Sequence, residues 1–323
     1  MKNLETEEAR SLHLDRKEMY KEVDDYHQKF IDPETGEIHS RYVHERSCPI
    51  CESIRRRVIF RKNGGTYVIC EDCSMVYLNP VFRDDELQKY YEQNNAVQAS
   101  AHESENDFYI NIYKQGLTSI SNFVTKGSVL DIGCSSGLFL DVARESGRLT
   151  YGVELNQAEY KIAHGRGHSV WACSVENLPQ NIKFDVITMW DVFEHIKNGL
   201  KFLNTIGSKL NTNGVIFLQV PNVASLAARI LWNKCNMFDG IEHANLYSPK
   251  TIKVLADKAG FEILSMATVI DELKVTKNYL EYQDPYLGDF IGNDDLGFLS
   301  PELVHKNLLG YKIQVILKPV STK

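Results

Sequence analysis

The stretch Val129-Leu130-Asp131-Ile132-Gly133-Cys134-Ser135-Ser136-Gly137-Leu138-Phe139-Leu140 decides the fold. Its first residues suit a short strand covered on both faces, the next five are small, and a helical apolar pattern starts at Leu138. Small side chains in such a turn let a ligand approach the backbone, and the helix behind it offers unpaired N–H groups to a carboxylate. Farther on, Glu154 closes Tyr151-Gly152-Val153-Glu154. An acidic residue ~20 positions past a glycine turn is where nucleotide-binding α/β folds hold two ribose hydroxyls.

Working outward, short apolar runs alternate with helical patterns. Strands are expected at Ser128–Ile132, Thr150–Glu154, Ser169–Ala172, Phe184–Trp190, Gly214–Val220, Glu262–Val269 and Tyr311–Leu317. That alternation predicts a doubly wound α/β fold around a mostly parallel seven-stranded sheet. Upstream, residues 4–30 read as an exposed amphipathic helix ended by a turn at Asp32–Gly36, and helices are expected over 84–91 and 107–124, with a polar loop from 93 to 103 between them.

Cys48-Pro49-Ile50-Cys51 and Cys70-Glu71-Asp72-Cys73 form two C-x2-C pairs eighteen residues apart. A hairpin is expected between them, with Val58–Phe60 and Thr66–Ile69 as arms and Arg61–Gly65 as the turn. Such a hairpin brings four thiolates to the corners of a tetrahedron, the geometry of a structural Zn2+ site. Four thiolates close the site to water and substrate, so the metal, held by Cys48, Cys51, Cys70 and Cys73, is expected to serve folding.

The chain has 323 residues, 43% hydrophobic and 24% charged, with seven cysteines and a formal net charge of −7. An odd cysteine count with four in tight pairs suits a reducing compartment better than a disulfide framework. No apolar run approaches a membrane span, and the charged N-terminus lacks the apolar core of a signal peptide. A cytoplasmic protein with no membrane partner is expected, and the acidic balance argues against a nucleic-acid partner. The composition says nothing of oligomeric state.

These residues resemble the first motif of the class I S-adenosylmethionine (SAM)-dependent methyltransferases. Phe184-Asp185-Val186-Ile187-Thr188-Met189-Trp190-Asp191-Val192-Phe193-Glu194-His195-Ile196 resembles that family's fourth-strand motif, and Gly214–Asn222 its fifth strand. Glu242–Ser248 followed by Leu255–Phe261 resembles the segment before its sixth strand; the resemblance covers residues 105–270. It implies SAM as cofactor. Asp131, Gly133 and Gly137, with Cys134 and Ser135 in the same turn, would shape the methionine end. Glu154 would hold the ribose and Leu155 pack on the adenine. Ser174 and Val175, within Cys173–Glu176, would border the adenine edge, and Trp190-Asp191 would close over the sulfonium. Two departures stand out: Ser135 replaces a glycine common in relatives, and only Ser174 or Glu176 could replace an aspartate common at the adenine edge. A hydride-transferring Rossmann enzyme would carry G-x-G-x-x-G, from which Gly133–Phe139 departs.

A cysteine module followed by Val76-Tyr77-Leu78-Asn79-Pro80 and a SAM domain resembles a group of bacterial methyltransferases that includes sugar C-methyltransferases. Glu52 and Ser74 stand where that group often has glycine. The expected organisation is a helical extension (1–46), a zinc-ribbon-like module (47–80), a helical linker or lid (81–127), the SAM-binding core (128–270), a substrate-site insertion (271–310), and a last strand with tail (311–323).

Methyl transfer to oxygen or carbon needs a base, and neutral histidine suits it. His195, after the fourth strand, and His243, before the sixth, are the candidates; Tyr247 and Glu194 are further ones. Tyr279, Tyr282, Tyr286, Phe290 and Phe298 in the insertion could stack on an acceptor or form a satellite core. Arg55-Arg56-Arg57 with Arg61-Lys62 is either a solvated strand face or a phosphate contact. The expected activity is methyl transfer to a small polar acceptor, foremost a nucleotide sugar or carbohydrate precursor. The alternatives are an RNA or protein methyltransferase gripping its substrate with the zinc module, and a non-catalytic binding protein that keeps the SAM fold.

Overall fold

β-Branched and aromatic residues bounded by glycine, asparagine and proline set most strand limits. The computed structural model describes residues 25–87, 89, 106–282 and 297–320. The helix expected over 4–30 lies outside these residues except for 25–30, which is α-helical over 25–27 and 3-10 at Gln28–Phe30. The polar loop over 93–103 and the aromatics Tyr286 and Phe290 also lie outside them. In chain order the strands are β1 Val43–His44, β2 Arg56–Lys62, β3 Gly65–Cys70, β4 Val76–Leu78, β5 Val81–Phe82, β6 Ser128–Ile132, β7 Leu149–Val153, β8 Ser169–Trp171, β9 Phe184–Trp190, β10 Leu210–Pro221, β11 Asn245–Leu246, β12 Phe261–Val269 and β13 Lys312–Pro319. The longer helices are α1 Asn106–Ser121, α2 Leu138–Glu145, α3 Gln157–Gly165, α4 Gly199–Gly207, α5 Leu226–Leu231, α6 Pro249–Ala259, α7 Leu273–Tyr282 and α8 Pro301–Lys306. All seven strands expected for the main sheet are present, within a few residues of the expected limits.

Two compact units result: Met1–Lys89 with Pro221–Ile252 and Ala267–Ile313, and Tyr90–Val220 with Lys253–Met266 and Gln314–Lys323. In the first, strands run β11-β4-β3-β2 in a four-stranded sheet. Asn63 and Gly64 turn the β2–β3 hairpin with both φ positive, at 50° and 77°, the geometry Asn-Gly favours in two-residue hairpins. Tyr67, Val76, Leu78 and Val81 pack with Ala227, Leu231, Phe238 and Leu246, so residues from beyond β10 supply the core that covers the hairpin. The hairpin backbone lies directly on Gly240: a Cβ on Gly65 would collide with the Gly240 carbonyl, and the Gly240 N–H donates to the Tyr67 hydroxyl at 3.0 Å. Arg46 adds a clamp, its guanidinium donating to Leu78 O (3.2 Å), Ala244 O (2.7 Å) and Asn245 Oδ1 (2.9 Å).

The seven-stranded sheet carries the second unit, in the order β12-β13-β10-β9-β6-β7-β8. β10–β9, β9–β6, β6–β7 and β7–β8 are parallel pairs. At the amino ends of the strands, Asp185 accepts from Ser128 N (2.7 Å), Ser128 Oγ (2.9 Å) and Asn211 Nδ2 (2.8 Å), tying β6, β9 and β10 together. Burial would push this carboxyl up, but those hydrogen bonds outweigh it and hold it below the usual range. The chain winds outward from β6 through β7 to β8, then returns to β9 on the other flank of β6. Ligands of open α/β sheets bind at the carboxyl edge of such a reversal. Among the described residues no helix is long and apolar enough to cross a membrane.

Candidate functional site

The reversal places the turn after β6 and the ends of β7 and β9 at one edge. Three of the turn's five residues have positive φ: Gly133 at 70°, Ser135 at 49° and Gly137 at 86°. Gly133 is required twice over, since a Cβ there would also lie 2.7 Å from Val192 Cγ2. Gly137 caps α2, and a Cβ on it would stand 3.1 Å from the His168 ring. That imidazole is itself fixed, its Nε2 3.0 Å from Asp141 Oδ1 and its Nδ1 3.0 Å from the Thr150 hydroxyl. Cys134 points under the turn, where only a glycine at 152 leaves room for its sulfur.

Glu154 follows β7 directly and folds back to the turn. Its Oε2 accepts from Ser135 N at 2.8 Å and its Oε1 from Asn156 N at 2.7 Å. Burial, with Glu159 nearby, raises its pKa despite these bonds. The Leu155 N–H reaches the same carboxyl, and part of its acceptor capacity stays open to a ligand. Next to it Leu155 is 69% exposed, an apolar surface beside a buried carboxyl. Asp131 is buried, accepts from Thr188 Oγ1 at 2.6 Å, and is pushed up to about 8 by burial and by the Glu154 charge.

At the end of β9, Trp190 packs on Phe139, Tyr113 and Phe217 at centroid distances of 5.0, 4.8 and 4.5 Å. Its Nε1 is buried and has no hydrogen-bond partner among the described residues. Asp191 follows at φ 55° and accepts from Gln219 Nε2 at 3.1 Å, while Gln219 accepts from Gln314 Nε2 at 2.9 Å. Ser174 precedes the short 3-10 turn Val175–Asn177, in which Val175 is buried. Two residues of this edge were not singled out by sequence reasoning. Tyr113, on α1, is raised well above an ordinary phenol by burial and by the carboxylates of Asp131, Asp191 and Glu159. Glu159, in the first turn of α3, accepts from Ser135 Oγ at 2.9 Å. Aromatic spacing within α1 was the only hint of Tyr113; Glu159 gave none.

Of the base candidates, His195 ends the 3-10 turn Phe193–His195 after β9. His243 belongs to the first unit. Its Nδ1 donates to Met237 O at 2.7 Å and lies 3.2 Å from Asp239 Oδ2. Asp239 is held by the N–H groups of Ile241, Glu242 and His243. Those contacts fix the tautomer with the proton on Nδ1 and make Nε2 the basic nitrogen. Tyr247 is 1% exposed and lies where the Arg46 charge reaches it. The basic hairpin is paired within the chain: Arg55 with Asp72, Arg56 with Glu45 (2.7 Å) and Arg61 with Glu37 (2.5 Å), while Lys62 donates to Cys235 O at 3.0 Å. Of the insertion aromatics, Tyr279 faces Lys234 and Phe298 is exposed.

In the first unit the sulfurs of Cys48, Cys51, Cys70 and Cys73 all lie within 4.8 Å of one another, with Cys48–Cys73 and Cys51–Cys70 at 3.4 Å. Tetrahedral zinc with bonds of ~2.3 Å places its sulfurs about 3.8 Å apart, so this donor set fits the ion. Each pair forms a tight knuckle. Glu52 N donates to Cys48 O (2.9 Å) and Ser74 N to Cys70 O (3.0 Å), and the residues after the second cysteines, Glu52 and Ser74, have φ of 61° and 67°. That is the conformation for which glycine is the easier choice.

Residues 106–266 match the methyltransferase-domain family. Together with the sheet order, this match makes residues 106–266 a SAM-dependent methyltransferase domain. A ubiquinone biosynthesis O-methyltransferase of Histophilus somni is 27% identical over 114 residues, 32% of this chain and 48% of its own length. An uncharacterized protein of Methanocaldococcus jannaschii is 26% identical over 169 residues, 51% of this chain and 80% of its own. The chain spans about half the length of the ubiquinone-pathway relatives it matches. The plantazolicin methyltransferase, solved with a pentazolic substrate analogue and S-adenosylhomocysteine, superposes with a TM-score of 0.50 at 15% identity, covering 72% of this chain and 94% of that one; at this identity the likeness is one of fold.

Proposed function

We propose that the chain transfers a methyl group from SAM to a small polar acceptor, with a nucleotide sugar or carbohydrate precursor as the first class to try. The observation that carries the reading is the Glu154 carboxylate, anchored by two backbone N–H groups at the sheet reversal beside an exposed Leu155. SAM, when bound, supplies an activated methyl on a sulfonium. Glu154 would hold its ribose, Leu155 its adenine, and Ser174 and Val175 border that ring. Asp131 and the Gly133–Gly137 turn, with Cys134 and Ser135, would receive the amino-acid end, and Trp190 and Asp191 line the sulfonium side. The acceptor class draws on the order of a cysteine module before the methyltransferase domain. The small-molecule class fits the ubiquinone-pathway relatives. Arg55, Arg56 and Arg61 of the basic hairpin have acidic partners within the chain, which weighs against RNA.

Alignment of nucleophile, methyl carbon and sulfur contributes ~7–11 kcal/mol to such a displacement. Proton removal is assigned to His243, whose tautomer Met237 O and Asp239 hold with Nε2 basic; His195 and Tyr247 are the other candidates. Zinc at Cys48, Cys51, Cys70 and Cys73 is assigned a folding role.

Mass spectrometry of small molecules retained by the purified protein, followed by an acceptor screen with labelled SAM, tests the reading. SAM or its demethylated product is expected in the retained fraction. Glu154→Ala should weaken calorimetric SAM affinity at least ~10-fold, about 1.4 kcal/mol, by removing paired hydrogen bonds to ribose. Unchanged affinity in that variant would take Glu154 out of the site and the proposal with it.

A further inference from the structure

His243 sits in a segment, residues 235–244, that contains neither helix nor strand. Such segments ordinarily belong to the more mobile parts of a fold, yet this one is held at several points by the cysteine-bearing module. Lys62 Nζ donates to Cys235 O at 3.0 Å. Phe238 meets Phe60 and Tyr67 edge to face at centroid distances of 4.7 and 5.0 Å, and Leu78 N donates to Ala244 O at 3.0 Å. The closest approach is at the middle. Gly240 has a φ of 91°; a Cβ on it would collide with Lys62 O, and a Cβ on Gly65 would collide with Gly240 O.

Tyr67 of β3 is fully buried at this point, and its hydroxyl accepts from Gly240 N at 3.0 Å. Burial and the Asp239 charge keep the phenol well above its ordinary range, so it stays neutral. The N–H it accepts belongs to the peptide joining Asp239 to Gly240. Tyr67 therefore fixes the plane of the peptide next to which the Asp239 side chain departs. That carboxylate receives the N–H groups of Ile241, Glu242 and His243 and lies 3.2 Å from His243 Nδ1, which donates to Met237 O at 2.7 Å. Rotation of the 239–240 peptide would carry the carboxylate away from the ring.

We infer that Tyr67 is a positioning residue for His243. The β2–β3 hairpin is the platform for residues 237–243, and through the 239–240 peptide the Tyr67 hydroxyl keeps Asp239 and Met237 O on Nδ1, leaving Nε2 to take the acceptor's proton. The module whose folding the metal would serve thereby also acts on the base. The inference rests on the reading of His243 as that base.

NMR of the full-length chain carrying 15N-labelled histidine tests this at about pH 8, where an ordinary imidazole is neutral. Two-bond proton–nitrogen correlations report which ring nitrogen holds the proton, and the signals lost in His243→Gln identify the ring. Wild-type His243 should be the Nδ1–H tautomer. Tyr67→Phe removes one oxygen, keeps the aromatic packing and leaves the Gly240 N–H without that acceptor. It should turn His243 into a mixture of tautomers and lower turnover about 10-fold, a fraction of the ~10²–10⁴-fold a positioned base supplies. S-adenosylhomocysteine affinity should stay within about 2-fold. Gly65→Ala presses on the Gly240 carbonyl while sparing the Tyr67 hydroxyl, and should disturb the tautomer in the same way. Urea unfolding and metal content of each variant separate these effects from loss of fold, since a merely structural contribution would lower the unfolding midpoint and leave the tautomer alone. An unchanged Nδ1–H tautomer in both folded variants, or an Nε2–H tautomer in the wild type, would overturn the inference. A displaced tautomer with normal turnover would leave the platform standing and overturn the base reading beneath it.

Discussion

In the seven-stranded sheet β9 buries six of its seven residues, whereas β2, at the edge of the four-stranded sheet, fully buries none. In the first sheet helices follow its own strands: α2 follows β6, α3 follows β7 and α4 follows β9. The second is three strands and a two-residue partner from residues 245–246, packed on a borrowed core from beyond β10, with four convergent sulfurs. A region with abundant local apolar cover needs no cross-link. A hairpin of about thirty residues on its own buries too little surface to offset its ordering entropy, and a metal at the four sulfurs would supply the difference.

The largest expected effect tests that contrast. Protein made without added metal should contain close to one zinc per chain, and Cys73→Ser should lose it. Structural zinc is worth ~10–16 kcal/mol in isolated fingers, so residues 47–80 should become protease-sensitive while the cofactor-binding sheet still titrates with S-adenosylhomocysteine. A zinc-free chain with a protease-resistant 47–80 segment would break the comparison at its root.

A second, smaller effect divides the chemistry. His243→Gln should lower turnover ~10²-fold, about 2.7 kcal/mol, with SAM affinity nearly constant and the ascending pH limb near ~6.5 lost. His195→Gln should cost less. The reverse ranking, read from turnover once the acceptor is known, would move the base to the other histidine.

The sheet unit should show an acid-favoured stability term. With Asp131 held near 8 in the folded chain against 3.8 in the free residue, the native state keeps a proton that the unfolded chain releases. This contribution is whole below pH 3.8 and declines as pH rises toward 8. Urea midpoints of the cofactor-free protein should therefore fall between pH 5 and 8, and Asp131→Asn should flatten that slope. A slope unchanged in the variant would assign the pH dependence to other groups.

The smallest effect sharpens the knuckle geometry. Glu52 is exposed and left-handed at φ 61°, so Glu52→Gly should stabilise the metal-bound module by about 0.5–1 kcal/mol. A destabilised variant in thermal melts would mean that the Glu52 side chain does more than tolerate its conformation.

Much of this was legible in the chain because the signals are local. Val129–Ile132 and Phe184–Trp190 read as buried strands from composition alone, and Asn63-Gly64 specified its turn. The cysteine spacing singled out four residues whose sulfurs do converge, because each knuckle is set by a few neighbouring residues. Glu154 lies against the glycine turn as expected, because one helix and one strand fix its distance from it.

Tertiary structure decided what depends on residues far apart in sequence. No local pattern indicates that Gly65 lies on Gly240, or that α5 and residues 235–246 complete the hairpin's core. The meaning of Ser135 was equally hidden: as a replacement for glycine it looked like a tolerated departure, yet its hydroxyl reaches a glutamate 24 positions away. The His243 tautomer and the Tyr113 phenol likewise depend on neighbours that only folding assembles. Sequence fixes periodicity and spacing along one chain; the ionisation and orientation of a buried group are set by whatever surrounds it in three dimensions.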